Sequence, residues 1–201
     1  TYIFRYKEDG KTASETAPAT FKAAKGKGKG ILHTADNSTL VYDNGEPFRG
    51  VGINLCWESR TNDDSKFFKA LHEQHDRFSY DVMLPDFAAN GGNFTRMWMC
   101  SWNFPIDRKD RFNNHRYTAT AEYMNPSAVS HLDEVIRLAE DLDIKIMLCM
   151  GQGDVRANRG FFNDEDAKAR YRNYLRYIVA RWGYSPAIGM WEFFNEIDNI
   201  Q

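Results

Sequence analysis

Cysteine is scarce in this chain and odd in number: Cys56, Cys100 and Cys149 cannot all pair with one another. Their spacing fits no zinc pattern, and buried free thiols are common as small hydrophobes, so the three are read as buried free thiols rather than as a disulfide framework or a zinc site. Long hydrophobic runs are missing too. No stretch of 18 or more apolar residues occurs, which is the least that a membrane helix needs. No charged segment followed by an apolar one opens the chain, and Thr1-Tyr2-Ile3 reads as mid-strand, so a signal peptide is expected only upstream of these residues. Basic charge is not in excess: Lys and Arg number 26 against 28 Asp and Glu, a net charge of -2. A field that would gather nucleic acid is therefore absent. No Gly-rich phosphate loop follows the first predicted strand, which disfavours an open flavodoxin-like sheet that binds nucleotides. His72 and His75, in HEQH, fall one residue short of the HExxH zinc spacing, so no metal and no cofactor are expected.

What the chain does have is aromatic residues, 14% of the total with 5 Trp and 10 Tyr. Flat rings with a polar edge suit the faces of sugars, and they also fill ordinary cores. It also has a repeated alternation of strand and helix. The strands are read as Arg49 to Leu55, Asn93 to Met99, Ile144 to Met150 and Ile188 to Phe194. They lie roughly 45 to 50 residues apart, which suits βα units with enlarged loops at one end. Right-handed crossovers then bring all four C-terminal strand ends to one face.

Between the strands, Asn125 followed by Pro126 reads as an N-cap with proline at the first helical position. Val129, Leu132, Val135, Ile136, Ala139 and Leu142 then recur at helical spacing. The next helix is expected to be capped by Asn163, with Asp164, Glu165 and Asp166 in its first turn and a buried stripe of Ala167, Tyr171, Tyr174, Leu175, Ile178 and Trp182. Its arginines fall largely off that stripe, as on a solvated face. An earlier helix over Tyr80 to Ala89 is interrupted by Pro85 and ended by Asn90-Gly91-Gly92. Ahead of the first strand, residues 1–24 read as a β-hairpin around an Asp-Gly turn, residues 25–30 (KGKGKG) as a solvated linker, and Leu40 to Phe48 as a second tight hairpin. Two strands bury no core alone, so the first hairpin reads as the end of a β-sandwich.

The most informative segment is IGMWEFFNEID, Ile188 to Asp198. Four apolar residues without alternation mark a strand covered on both faces, and polarity begins abruptly at Asn195-Glu196. A carboxylate at the C-terminal end of such a strand faces the mouth of an α/β fold, as a catalytic acid would, although the same position also suits a helix cap or an arginine partner.

With ARWGYSPAIGMWEFFNEID, DIKIMLCMGQG, GGNFTRMWMCSWNF and YDNGEPFRGVGINLCW in that order, roughly Leu40 to Asp198 resembles the clan A glycoside hydrolases. More narrowly, it looks like the cellulase- and mannanase-like (β/α)8 barrels that carry an N-terminal β-sandwich module. The resemblance implies that residues 31–201 are the first four βα units of such a barrel, the N-terminal half, because a complete barrel takes about 250 residues. It implies a retaining hydrolase of β-linked polysaccharide, inactive without the missing half. Glu196 would be the acid/base and Asn195 a partner of the sugar 2-hydroxyl. Arg96 matches the strand-two arginine that orients a nucleophile carried on strand seven. Trp191 would wall the acid/base, and Trp57, Trp98 and Trp102 would either stack on sugars or pack the core. Gln152 would touch a glycone hydroxyl where many members have histidine, a departure from the pattern. A barrel that binds carbohydrate without cleaving it is the alternative, and a missing strand-seven Glu would favour it.

Overall fold

The computed structural model describes residues 1–24, 26, 28–57, 79–100, 103–107, 124–151 and 163–197. Trp102, Gln152, His72 and His75 lie outside the described residues. Four short strands come first: β1 (Arg5–Tyr6), β2 (Ser14–Glu15), β3 (Leu32–Thr34) and β4 (Leu40–Tyr42). β5 (Gly52–Asn54), α1 (Ser79–Ala89), β6 (Phe94–Trp98), α2 (Pro126–Asp141), β7 (Lys145–Cys149), α3 (Glu165–Trp182) and β8 (Ile188–Glu192) follow. β5 to β8 form one parallel sheet in the order β5-β6-β7-β8, so each crossover leads to the neighbouring strand. That is the βα alternation expected from the sequence.

Each element has a local cause. Asn125 caps α2 by accepting from the Ser127 N–H at 3.2 Å, with Pro126 at the first helical position. α3 is capped by Asp164 rather than by Asn163, its Oδ1 accepting from the Ala167 N–H at 3.0 Å. The acidic side chain one residue later, equal in length to that of Asn163, both caps and adds a negative charge that complements the helix dipole. α1 continues through Pro85, and it ends in a Schellman pattern: Gly91 has φ +84°, and the N–H of Gly92 donates to Phe87 O at 2.9 Å.

The helices cover one face of the sheet. Met97, Ile146 and Leu148 on that face are fully buried, packed with Leu132, Val135, Ile136, Ile178 and Trp182. Each such side chain contributes about 1.5–3 kcal/mol on burial. At the sheet's first strand, side chains extend the ladder. The Thr95 hydroxyl donates to Ile53 O at 3.0 Å and accepts from the Leu55 N–H at 3.2 Å, while the Asn93 amide bridges Val51 N and Arg49 O.

β3 and β4 pair antiparallel, a strand pair the sequence reading did not separate from the Leu40–Phe48 turn. That turn is present as well, with Val41 opposite Pro47. The hairpin packs below the sheet against β8: Leu32 sits beside Gly189, and Lys145 Nζ lies 5.3 Å from the centre of the Tyr42 ring. β1 and β2 form the expected first hairpin, with Arg5 opposite Glu15.

Candidate active site

Register decides which side chains reach the uncovered face of the parallel sheet. Along β6, Phe94, Arg96 and Trp98 point away from the helices and stay partly exposed, while Thr95 and Met97 are buried. Neighbours in a parallel ladder share a face. Met147 and Cys149 of β7 therefore stand beside Arg96 and Trp98. Between β7 and β8 the register slips by one residue: Ile146 pairs with Ile188, but Met147 pairs with Met190. Gly189 is the extra residue, the usual occupant of a bulge. Beyond the slip, Glu192 falls beside Cys149 and so onto the face of Arg96, and Trp191 falls beside Leu148. Trp191 accordingly packs against the buried core on the opposite face from Arg96.

Glu192 then meets Arg96 across β7. Arg96 Nε donates to Glu192 Oε2 at 2.6 Å, and Nη2 donates to Glu192 Oε1 in a second, parallel bond. Nη2 also donates to Asn195 Oδ1 at 2.8 Å. The two charged side chains are only 17% and 21% exposed. Hydrogen bonding to Glu192 is the largest reason that the Arg96 guanidinium holds its proton more tightly than usual. Below the guanidinium lies the Trp98 ring at 5.2 Å, and Trp57 meets Trp98 edge to face at 4.9 Å. Both tryptophans are partly buried. Cys56 and Cys149 flank the ion pair. Burial raises both thiols, that of Cys149 to about 11, and the Cys149 thiol donates to Gly151 O at 3.0 Å.

The turn after β8 is held from two sides. Met150 N–H donates to Glu192 O at 2.8 Å and Asn195 N–H to Gly151 O at 2.9 Å, which staples it to the end of β7. The Tyr171 hydroxyl of α3 donates to Phe193 O at 2.7 Å. Only glycine fits at position 151, because a Cβ there would stand 2.6 Å from Phe193 O and 2.8 Å from the Phe194 ring. The turn delivers Asn195 buried and Glu196 exposed, with Glu196 in left-handed backbone at φ +50°. Such a conformation in a non-glycine residue is uncommon and concentrates at functional sites.

Two buried donors, Trp98 Nε1 and Asn195 Nδ2, have no acceptor among the described residues. The amide orientation of Asn195 is fixed by chemistry: guanidinium can only donate, so Oδ1 must face Arg96 and Nδ2 must face away. Of the residues singled out in the sequence, Arg96, Asn195, Trp98 and Trp57 converge here, and Glu196 follows Asn195 at the exposed rim. Glu192 is the member that sequence reasoning missed. Its signal was an acid closing an otherwise apolar strand.

Four parallel strands in chain order, with a polar cluster at their C-terminal ends, follow the (β/α)8 plan over four of its eight units. Solved structures of similar fold include the β-1,4-D-mannanase of Cryptopygus antarcticus, at a TM-score of 0.58 and 20% identity over 84% of this chain. Another is the β-mannanase of the blue mussel Mytilus edulis, at a TM-score of 0.57 and 18% identity over 85% of the chain. This is part of a (β/α)8 barrel. The partial barrel spans 45% and 46% of the lengths of those two proteins. In sequence it is 24% identical over 131 residues to mannan endo-1,4-beta-mannosidase A of Podospora anserina, covering 58% of this chain and 35% of that protein. No protein-family profile matches the partial barrel.

Proposed function

We propose that this partial barrel belongs to a retaining glycoside hydrolase that cleaves a β-linked polysaccharide such as β-mannan or β-glucan by double displacement. The observation that carries the reading is the hydrogen bond from Arg96 to Asn195, which joins β6 to the Asn-Glu turn beyond β8 in one polar cluster. In this reading Glu196, exposed at the rim, protonates the departing glycosidic oxygen and later deprotonates water. Asn195 Nδ2 donates to the sugar 2-hydroxyl, a contact that strengthens as the oxocarbenium ion forms. Arg96 orients an anionic nucleophile, which the mechanism requires about 5 Å from Glu196 and which is expected beyond the four parallel strands. Trp57 and Trp98 line the same mouth, and no cofactor or metal is called for.

The likeness to two mannanase folds and to an endo-mannosidase sequence supports a β-mannan type of substrate. The same reading takes residues 1–24 as the last hairpin of an N-terminal β-sandwich, 25–30 as a linker and 31–201 as barrel. It also takes the protein as secreted or periplasmic, where polysaccharide is met. Among the described residues no helix is long and apolar enough to cross a membrane.

Azide rescue tests the acid/base. In the intact protein that contains this chain, Glu196→Ala should still form the glycosyl-enzyme from an aryl glycoside with a good leaving group, but should release it slowly. Added azide, which needs no deprotonation, should restore turnover and give the β-glycosyl azide. Equal loss on all substrates without azide rescue would remove Glu196 from the site.

A further inference from the structure

We propose that Glu192 is a positioning residue: by its two-point hold on Arg96 it sets the amide orientation of Asn195 and thereby the donor offered to the substrate's 2-hydroxyl. This rests on the hydrolase reading above.

A partly buried ion pair is a costly way to fill the space between two strands, because both charges lose much of their water; an apolar pair of similar volume is often as stable. A further consequence of this pair can be read from its geometry. Glu192 takes the Nε–Nη2 edge of the guanidinium, a fork that admits one planar orientation. In that orientation the second proton of Nη2 is aimed at Asn195 Oδ1. Without the fork, Arg96 would be free to turn about its last torsions, and Asn195 could flip its amide without losing a bond to a fixed neighbour. With the fork in place, a flipped amide would set Nδ2 against a guanidinium donor, two donors facing one another. Glu192 thus excludes the wrong amide orientation at one remove. The backbone of Asn195 is already held by Gly151, so the amide is the degree of freedom left to control. Nδ2, buried and without an acceptor among the described residues, is the group this control delivers.

The test compares an aryl β-glycoside with its 2-deoxy analogue in the intact protein. Glu192→Gln keeps the volume but replaces the fork by one acceptor and one donor, and it should lower kcat/KM for the normal glycoside by roughly 10- to 100-fold, by analogy with the loss of a partner that orients a metal ligand. The 2-deoxy glycoside has no hydroxyl to contact, so it should lose far less, and the preference of the enzyme for the 2-hydroxyl should shrink at least about tenfold. Glu192→Asp, which keeps the charge on a shorter arm, should lie between, and it serves if the Gln variant does not fold. In an Asn195→Ala background the same Glu192 change should add little, because positions acting through one another are not additive. Equal losses on both substrates, or additive losses in the double variant, would show Glu192 to be structural only and would leave the hydrolase reading intact. If the unaltered protein cleaves neither glycoside nor polysaccharide, the hydrolase reading fails and this inference with it.

Discussion

Arg96 of β6 and Glu192 of β8 are joined by two parallel hydrogen bonds over the top of the strand that separates them. The pair makes the sheet's polar end a single unit, because Arg96 also holds Asn195. Its removal therefore has separable effects on stability and on chemistry.

Arg96→Ala should destabilise the protein by about 3 kcal/mol, since it strands the largely buried Glu192 carboxylate without its partner. The double change Arg96→Leu with Glu192→Leu should recover most of that loss, because no charge is then left unpaired. Neither variant should cleave substrate. Denaturant titration gives the first two values and an activity assay the third; a double variant as unstable as Arg96→Ala would contradict this account.

Gly151→Ala places a methyl group where only 2.6 Å separates it from Phe193 O. Relief requires the turn that carries Asn195 to move, at roughly 2 kcal/mol by analogy with overpacked cores. Activity should fall with stability, and further than stability alone explains, because the 195–196 turn is displaced. An alanine variant with normal kcat and melting temperature would show that the turn is loose.

Glu196 sits at φ +50°, a conformation that costs an ordinary residue of order 1–3 kcal/mol and glycine little. Glu196→Gly should thus be at least as stable as the unaltered protein while losing hydrolysis of polysaccharide. Glu196→Ala, still an L residue at the same φ, should gain no such stability. Comparing the two melting temperatures checks the point, and a glycine variant less stable than the alanine variant would refute it.

Burial raises the Cys149 thiol from 9.0 to about 11, so the folded protein keeps a proton that the unfolded chain releases. The unfolded state binds fewer protons between those two values, and stability must therefore decline as pH rises from near 9 toward 11. Cys149→Ala should flatten that decline relative to the unaltered protein in denaturant melts across the same range. Parallel curves would mean that other groups carry the alkaline loss.

The four parallel strands and the helices between them were legible from apolar runs, helical spacing and the Asn125-Pro126 cap, since these are local signals. The convergence of Arg96 with Asn195 was legible only through the resemblance, because no local rule links residues on different strands. Two features lay beyond reach for one shared reason. Simple alternation from Ile188 would send Trp191 to the mouth and Glu192 toward the helices. The bulge at Gly189 reverses both, and a one-residue slip in register exchanges every later side chain between faces. The cap on α3 moved by one position for a smaller cause: Asn163 and Asp164 both cap helices well, and sequence alone does not choose between them.

The seat of Leu32 beside Gly189 has a consequence for biosynthesis. During translation β3 leaves the ribosome roughly 150 residues before the strand it packs on, an interval of about 8–30 s at ordinary elongation rates. Over that time the hairpin has its turn but no floor to rest against, and its contact with β8 has a high contact order, which slows closure. The base of the sheet is therefore among the last regions to consolidate, and the nascent chain carries its apolar Leu32 uncovered until β8 arrives.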